Sequence, residues 1–142
     1  MSASHLLDTC VYCQPIRRHP LESVMRWMDA IGDRHMAISV ICEVEILFGI
    51  NRLHGGQLRH VYECLLKDRF PILTIDQRVA VTAAEIKFKR ESRGQPMAPF
   101  DLLIAATAKT HRLILATLNA KHFAGIEGLA VEDWSVFSRM AQ

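Results

Sequence analysis

Short apolar runs alternate with longer stretches of helical pattern along this chain, and no other feature constrains its fold as strongly. Runs at 5–7, 36–40, 72–75, 113–116 and 129–131 have the length of strands. Between them, residues 21–31, 41–53, 57–67, 77–92 and 100–111 read as helices. Strands that each hand over to a helix predict an α/β domain built on a parallel sheet.

The punctuation agrees with these boundaries. Asp76 is placed to cap the helix after it, because its short carboxylate can accept from the free N–H groups of the first turn. Lys87, Lys89, Arg90 and Arg93 crowd the far end of that helix, where the macrodipole favours cations, and Gly94 stops it. Pro99 suits the first position of the next helix. The segment 94–98 reads as a loop, and the tail after Trp134 as loosely held.

The 142 residues suggest one domain spanning 1–142. Half are hydrophobic and 23% charged, which supplies one core and excludes a disordered body. A net charge of +2 permits a nucleic-acid partner without arguing for one. No apolar run is long enough to cross a bilayer, and no secretory signal opens the chain. Cys10, Cys13, Cys42 and Cys64 lack the spacing of a disulfide framework, so a reducing cytoplasm is expected.

Ligands of open parallel sheets bind beyond the carboxyl ends of the strands, so acids just after strands carry the most information. Asp8 follows the first run directly. Glu45 lies one turn into the helix after the second, and Asp101 in the first turn of the last helix. The helix holding Asp101 is apolar on nearly every side, so a carboxylate at its end needs a cation, a donor or water. Ala105 and Ala108 share its face and leave room before it. Its position also suits the plain stabilisation of a helix N-terminus, and the two readings stay open. Glu43 and Glu45 point roughly 200° apart on a helix, so one pocket takes only one of them. They flank the stripe Val40, Val44, Leu47 and Phe48, and Gly49 gives space on the Glu45 side. Asp76 is sufficiently explained as a cap.

These residues match a known family in four blocks. Leu6-Leu7-Asp8-Thr9-Cys10-Val11 resembles the opening of PIN domains. Ile38 to Gly49 resembles their second block, in which an acid stands four residues before a glycine; that register selects Glu45. Pro99 to Ala108 resembles the third, and Leu115-Ala116-Thr117-Leu118-Asn119-Ala120-Lys121-His122-Phe123 the fourth. Together they cover almost the whole chain, and within the family they look most like the VapC toxins of type II toxin–antitoxin pairs, including the FitB-like branch.

The resemblance implies a three-layer α/β/α fold with a parallel sheet of four or five strands. It implies an endoribonuclease using Mg²⁺ or Mn²⁺, a homodimer, and a cognate VapB-like antitoxin that blocks the site in a higher-order complex. Asp8, Asp101 and Glu45 would hold or position the metal and its water. Thr9, Thr117 and Asn119 would hydrogen-bond to them, with His122 a weaker candidate. Two departures stand out. Cys10 replaces the usual asparagine, and Asn119 and His122 occupy positions where the fourth block often carries an aspartate. An amide brings no negative charge, which weakens metal affinity.

RNA contacts are expected from Arg17, Arg18, His19, Arg52 and Lys121 at the rim. Transfer RNA is the family-level expectation for a target. Three other readings compete: a PIN-fold module that binds RNA or an antitoxin without cutting, a structure-specific DNA nuclease, and zinc or redox chemistry at Cys10-Val11-Tyr12-Cys13.

Overall fold

The structure is a computed structural model and describes residues 3–53 and 56–138. Five strands form one sheet: β1 (His5–Leu7), β2 (Met36–Ser39), β3 (Ile72–Leu73), β4 (Ile114–Thr117) and β5 (Val131–Asp133). Their order is β3-β2-β1-β4-β5, and every pairing is parallel. All residues of β1 and β2 are buried, the mark of strands covered on both faces. The edge strands β3 and β5 are short and partly exposed.

Among the described residues, six α-helices complete the three-layer α/β/α arrangement: α1 (Thr9–Tyr12), α2 (Glu22–Ile31), α3 (Val40–Arg52), α4 (Gly56–Leu65), α5 (Gln77–Ser92) and α6 (Pro99–Thr110). The chain starts at the centre of the sheet, builds outward through β2 and β3, then returns to lay β4 on the other side of β1. The strand order reverses at β1 and β4, so the crevice for a ligand lies beyond their carboxyl ends. Among the described residues, no helix is long and apolar enough to cross a membrane.

Several expectations hold closely. Helix α5 runs over the predicted 77–92, with the Asp76 carboxylate accepting from Val79 N–H at 3.0 Å. Gly94 follows at φ +68, a left-handed conformation that glycine adopts without strain. Val40, expected in a strand, opens α3 because Ser39 Oγ accepts from Ile41 N–H and caps the helix there. The last strand lies two residues later than expected, at the edge of the sheet.

Helix α3 buries Ile41, Cys42, Ile46 and Ile50, while Phe48, in the stripe flanked by the two glutamates, is 64% exposed. Two expectations are corrected. Ala105 and Ala108 do not leave room before Asp101; both are fully buried in the core. The segment after Trp134 is docked rather than loose: Trp134 stacks on Trp27 with centroids 5.3 Å apart, and Trp27 Nε1 donates to the Val136 carbonyl at 2.9 Å. Residues 139–142 lie outside the described ones.

Candidate active site

Asp8 is the residue that ends β1, and its backbone N–H still belongs to the sheet, donating to the Ala116 carbonyl at 2.9 Å. The next residue starts α1, so the Asp8 side chain turns into the crevice as the cap of that helix. Oδ1 accepts from Thr9 N–H at 2.8 Å. Oδ2 accepts from Thr117 Oγ1, at the end of β4, at 2.7 Å. The carboxylate is only 5% exposed. Burying a carboxylate is costly without partners, and here the donors come from the start of α1 and the end of β4.

Glu45 enters from α3. Thr9 Oγ1 donates to Glu45 Oε1 at 2.5 Å, which ties the second acid to the residue after the first. Glu43 faces elsewhere, toward Tyr12 and Tyr62, whose phenols are pushed upward in pKa by burial first, with the Glu43 charge a smaller contribution. Glu45, and not Glu43, is the glutamate that Thr9 holds beside Asp8. A side chain at Gly49 would meet nothing within 4 Å, so the space expected beside Glu45 exists.

Asp101 is half-buried in the first turn of α6. Burial raises its pKa above the usual 3.8, and the charges of Asp8 and Glu45 raise it further. The three acids thus share one electrostatic neighbourhood although 93 positions separate the first from the last. The imidazole of His122 partly offsets them.

Thr117 is fully buried and also accepts from Asn119 N–H at 3.0 Å. The Asn119 side chain itself is exposed and reaches the Cys10 sulfur at 3.9 Å. Cys10 Sγ donates to Asp8 Oδ2 at 3.4 Å and accepts from Leu118 N–H at 3.4 Å. Burial, followed by the charge of Asp8, pushes the Cys10 thiol up to about 12. The two thiols of the CxxC segment do not converge: Cys13 donates to the Cys10 carbonyl at 3.6 Å instead. All four cysteines are free.

Two depressions flank the acids. One, of about 480 Å³, is lined by Thr9, Glu45, Arg17, Arg18 and Arg52, with Ile46, Ile50 and Leu58 among its apolar residues. The other, of about 240 Å³, is lined by Asp101, Arg90, His122, Pro96, Met97 and Ala98. Arg90 was missed as a site residue because its position in the sequence is fully accounted for by the helix macrodipole. Lys121 is exposed in the 3₁₀ turn Ala120–Phe123 beside His122.

A PIN-domain family model matches residues 5–129. The chain belongs to the PIN-domain family. Among similar proteins is Toxin FitB of Neisseria gonorrhoeae, 33% identical, aligned over 91% of this chain and 97% of that one. The tRNA(fMet)-specific endonuclease VapC of Shigella flexneri is 27% identical over 92% of this chain and 97% of its own. The structure of FitAB bound to the IR36 DNA fragment superposes with a TM-score of 0.83 at 31% identity, covering 95% of this chain and 98% of the other.

PIN-domain nucleases generally depend on divalent metals. The donor set at this PIN site suits such an ion. It offers hard carboxylate oxygens, already repelling one another, in a crevice between buried strands. Among the described residues, no three His, Cys, Asp or Glu side chains close on an ion unaided. A small hard cation that keeps several of its waters needs only one or two direct carboxylates.

Proposed function

We propose that this chain is the toxin of a type II toxin–antitoxin pair, a single-domain endoribonuclease that hydrolyses RNA phosphodiester bonds with Mg²⁺ or Mn²⁺. The observation that carries the reading is the shared electrostatic neighbourhood of Asp8, Glu45 and Asp101 at the strand reversal of a PIN domain.

Asp8 and Asp101 would hold the ion directly or through its waters, and Glu45 would orient a water for attack. When bound, the metal lowers the pKa of its water and neutralises charge on the phosphoryl oxygen. Thr9 fixes the Glu45 carboxylate by its hydroxyl donor, and Thr117 fixes Asp8. That anchoring keeps the oxygens preorganised rather than swinging in solvent, which is where such sites gain rate. Asn119 completes the rim with an amide, and His122 supplies a partial counter-charge to Asp101.

Arg17, Arg18 and Arg52 line the larger depression and give an RNA backbone three cations to follow toward Glu45. Lys121 adds an exposed cation in the 3₁₀ turn that carries His122. The substrate class is RNA, with transfer RNA favoured by the name of the Shigella flexneri relative. A VapB-like antitoxin partner, a homodimer, a higher-order complex of the two and a cytoplasmic site of action complete the reading. The two-component FitAB neighbour supports a partner.

Incubating the purified chain with total transfer RNA, and with a DNA of matching structure, tests the proposal. Cleavage of RNA that requires added Mg²⁺ or Mn²⁺ and stops in Asp8→Asn is the expected result. Cleavage that survives chelation overturns the metal assignment. RNA binding without cleavage in either metal turns the conclusion to a non-cutting module weakened by Asn119.

A further inference from the structure

Beside the acidic centre lies a second depression whose Arg90, Pro96, Met97 and Ala98 the proposed reaction leaves without a role. The larger depression contains Glu45 and the three arginines; the smaller contains Asp101, and the two share no lining residue. Glu45 lines the one and Asp101 the other, so the acids border two separate depressions. A polynucleotide whose scissile phosphate sits at that centre extends both ways from it.

The smaller cavity is built rather than incidental. Arg90, in the last turn of α5, donates Nε–H to the Gln95 carbonyl at 2.8 Å. Its Nη1 donates to the carbonyls of His122 and Ala124 at 3.4 and 3.2 Å. One guanidinium thus joins the 94–98 loop to the 3₁₀ turn Ala120–Phe123 and forms part of the cavity wall. Asp101 and His122 are further polar lining residues, while Pro96, Met97 and Ala98 supply apolar surface.

This mixture has a chemical meaning. Proteins that bind single-stranded RNA splay bases out and stack them on His rings or Arg guanidinium planes. Polarizable thioethers also pack well on aromatic faces. A volume of about 240 Å³ lies below the ~300–1,000 Å³ of ordinary small-molecule sites, so it holds one unit rather than a strand. We infer that the cavity between Arg90, Asp101, His122 and Met97 receives the nucleotide adjoining the scissile phosphate, separately from the arginine-lined groove.

The inference rests on the ribonuclease reading, and the test separates the two. Ribonucleoside 5′-monophosphates are titrated into the full chain and followed by ¹H–¹⁵N spectra, with inorganic phosphate as a parallel arm. The amides of Met97 and the Arg90 Nε–H should shift with the monophosphates and not with phosphate alone. His122→Ala, at an exposed position, and Met97→Ser, at a half-buried one, should each raise KM for RNA by several-fold with a smaller change in kcat. Equal shifts with phosphate, or shifts confined to Arg17 and Arg18, overturn the subsite. So does an unchanged KM in both variants while the wild type cuts RNA, which leaves the nuclease reading intact. Monophosphate shifts in a wild type that cuts no RNA keep the cavity as a nucleotide site and discard the nuclease.

Discussion

Thr117 Oγ1 donates to Asp8 Oδ2 at 2.7 Å, joining the ends of two neighbouring strands that lie 109 positions apart in sequence. The hydroxyl is the side-chain oxygen donor to a nearly buried carboxylate. Thr117→Val keeps the shape and removes the donor. A hydrogen bond to a charged group contributes roughly 1.5–3 kcal/mol, so a loss of that order in urea denaturation is expected. Thr117→Ser should restore most of it. Cleavage should fall more in the valine variant than in the serine one. Equal stability of the two variants would show that the bond carries no weight.

Asp101 makes stability depend on pH in an unusual direction. Its folded pKa is raised above 3.8, by burial first and then by Asp8 and Glu45. Below 3.8 the group is protonated in both states, and the folded protein keeps the full benefit of the neutral form. That benefit is lost as pH rises through the folded value, because the folded state must then give up a proton it holds more tightly than the unfolded chain. Without metal, Asp101→Asn should therefore melt at a higher temperature than the wild type at pH 7, while cleaving nothing. The gap should close as pH falls toward 3.8. Calorimetry across that range checks it, and a constant gap would remove the electrostatic explanation.

Added divalent metal should close the same gap from the other side. An ion that binds only the folded state stabilises it by mass action. Millimolar Mg²⁺ or Mn²⁺ should raise the melting temperature of the wild type and do little for Asp8→Asn or Asp101→Asn. If all three rise alike, the ion is binding elsewhere.

Glu43 and Glu45 give an internal control on one helix. Glu45→Gln disturbs the carboxylate held by Thr9 and should reduce cleavage on the order of 10²-fold, the usual scale for losing a positioned catalytic group. Glu43→Gln lies on the Tyr12 and Tyr62 side and should leave cleavage near wild type. Rates on one RNA substrate decide it. A larger defect in Glu43→Gln would reverse the assignment.

What could be read in advance follows from how local each signal is. Helix α5 was legible because both of its ends are written in nearby residues, Asp76 and Gly94. Asp8 was legible because a strand end is a local feature. Helix α1 was not anticipated, since its four residues are too few to show a period. The buried face of α3 was not legible, because periodicity identifies an apolar stripe but not what covers it, and Phe48 is 64% exposed. Arg90 was hidden for a different reason. Its three carbonyl partners lie in two loops that meet only in the folded chain.

Asn119 is where this chain departs most from the acidic pattern, and the departure can be reversed. The residue is exposed, yet its backbone N–H is anchored to Thr117 Oγ1 at 3.0 Å and its side chain reaches Cys10. Asn119→Asp should leave that anchor intact and set a fourth carboxylate at the rim. In the absence of metal the new charge adds to the repulsion already felt by Asp101, so the melting temperature should drop. With metal the sign inverts, because the same charge attracts the cation. At an exposed position the attraction is near the value in water, about 1 kcal/mol per unit charge at 4 Å and so about 2 kcal/mol for a divalent ion, or roughly thirtyfold in affinity. The Mn²⁺ concentration giving half-maximal cleavage should fall by about that factor. A variant that is destabilised without metal but shows no leftward shift in Mn²⁺ dependence would mean that Asn119 does not face the ion.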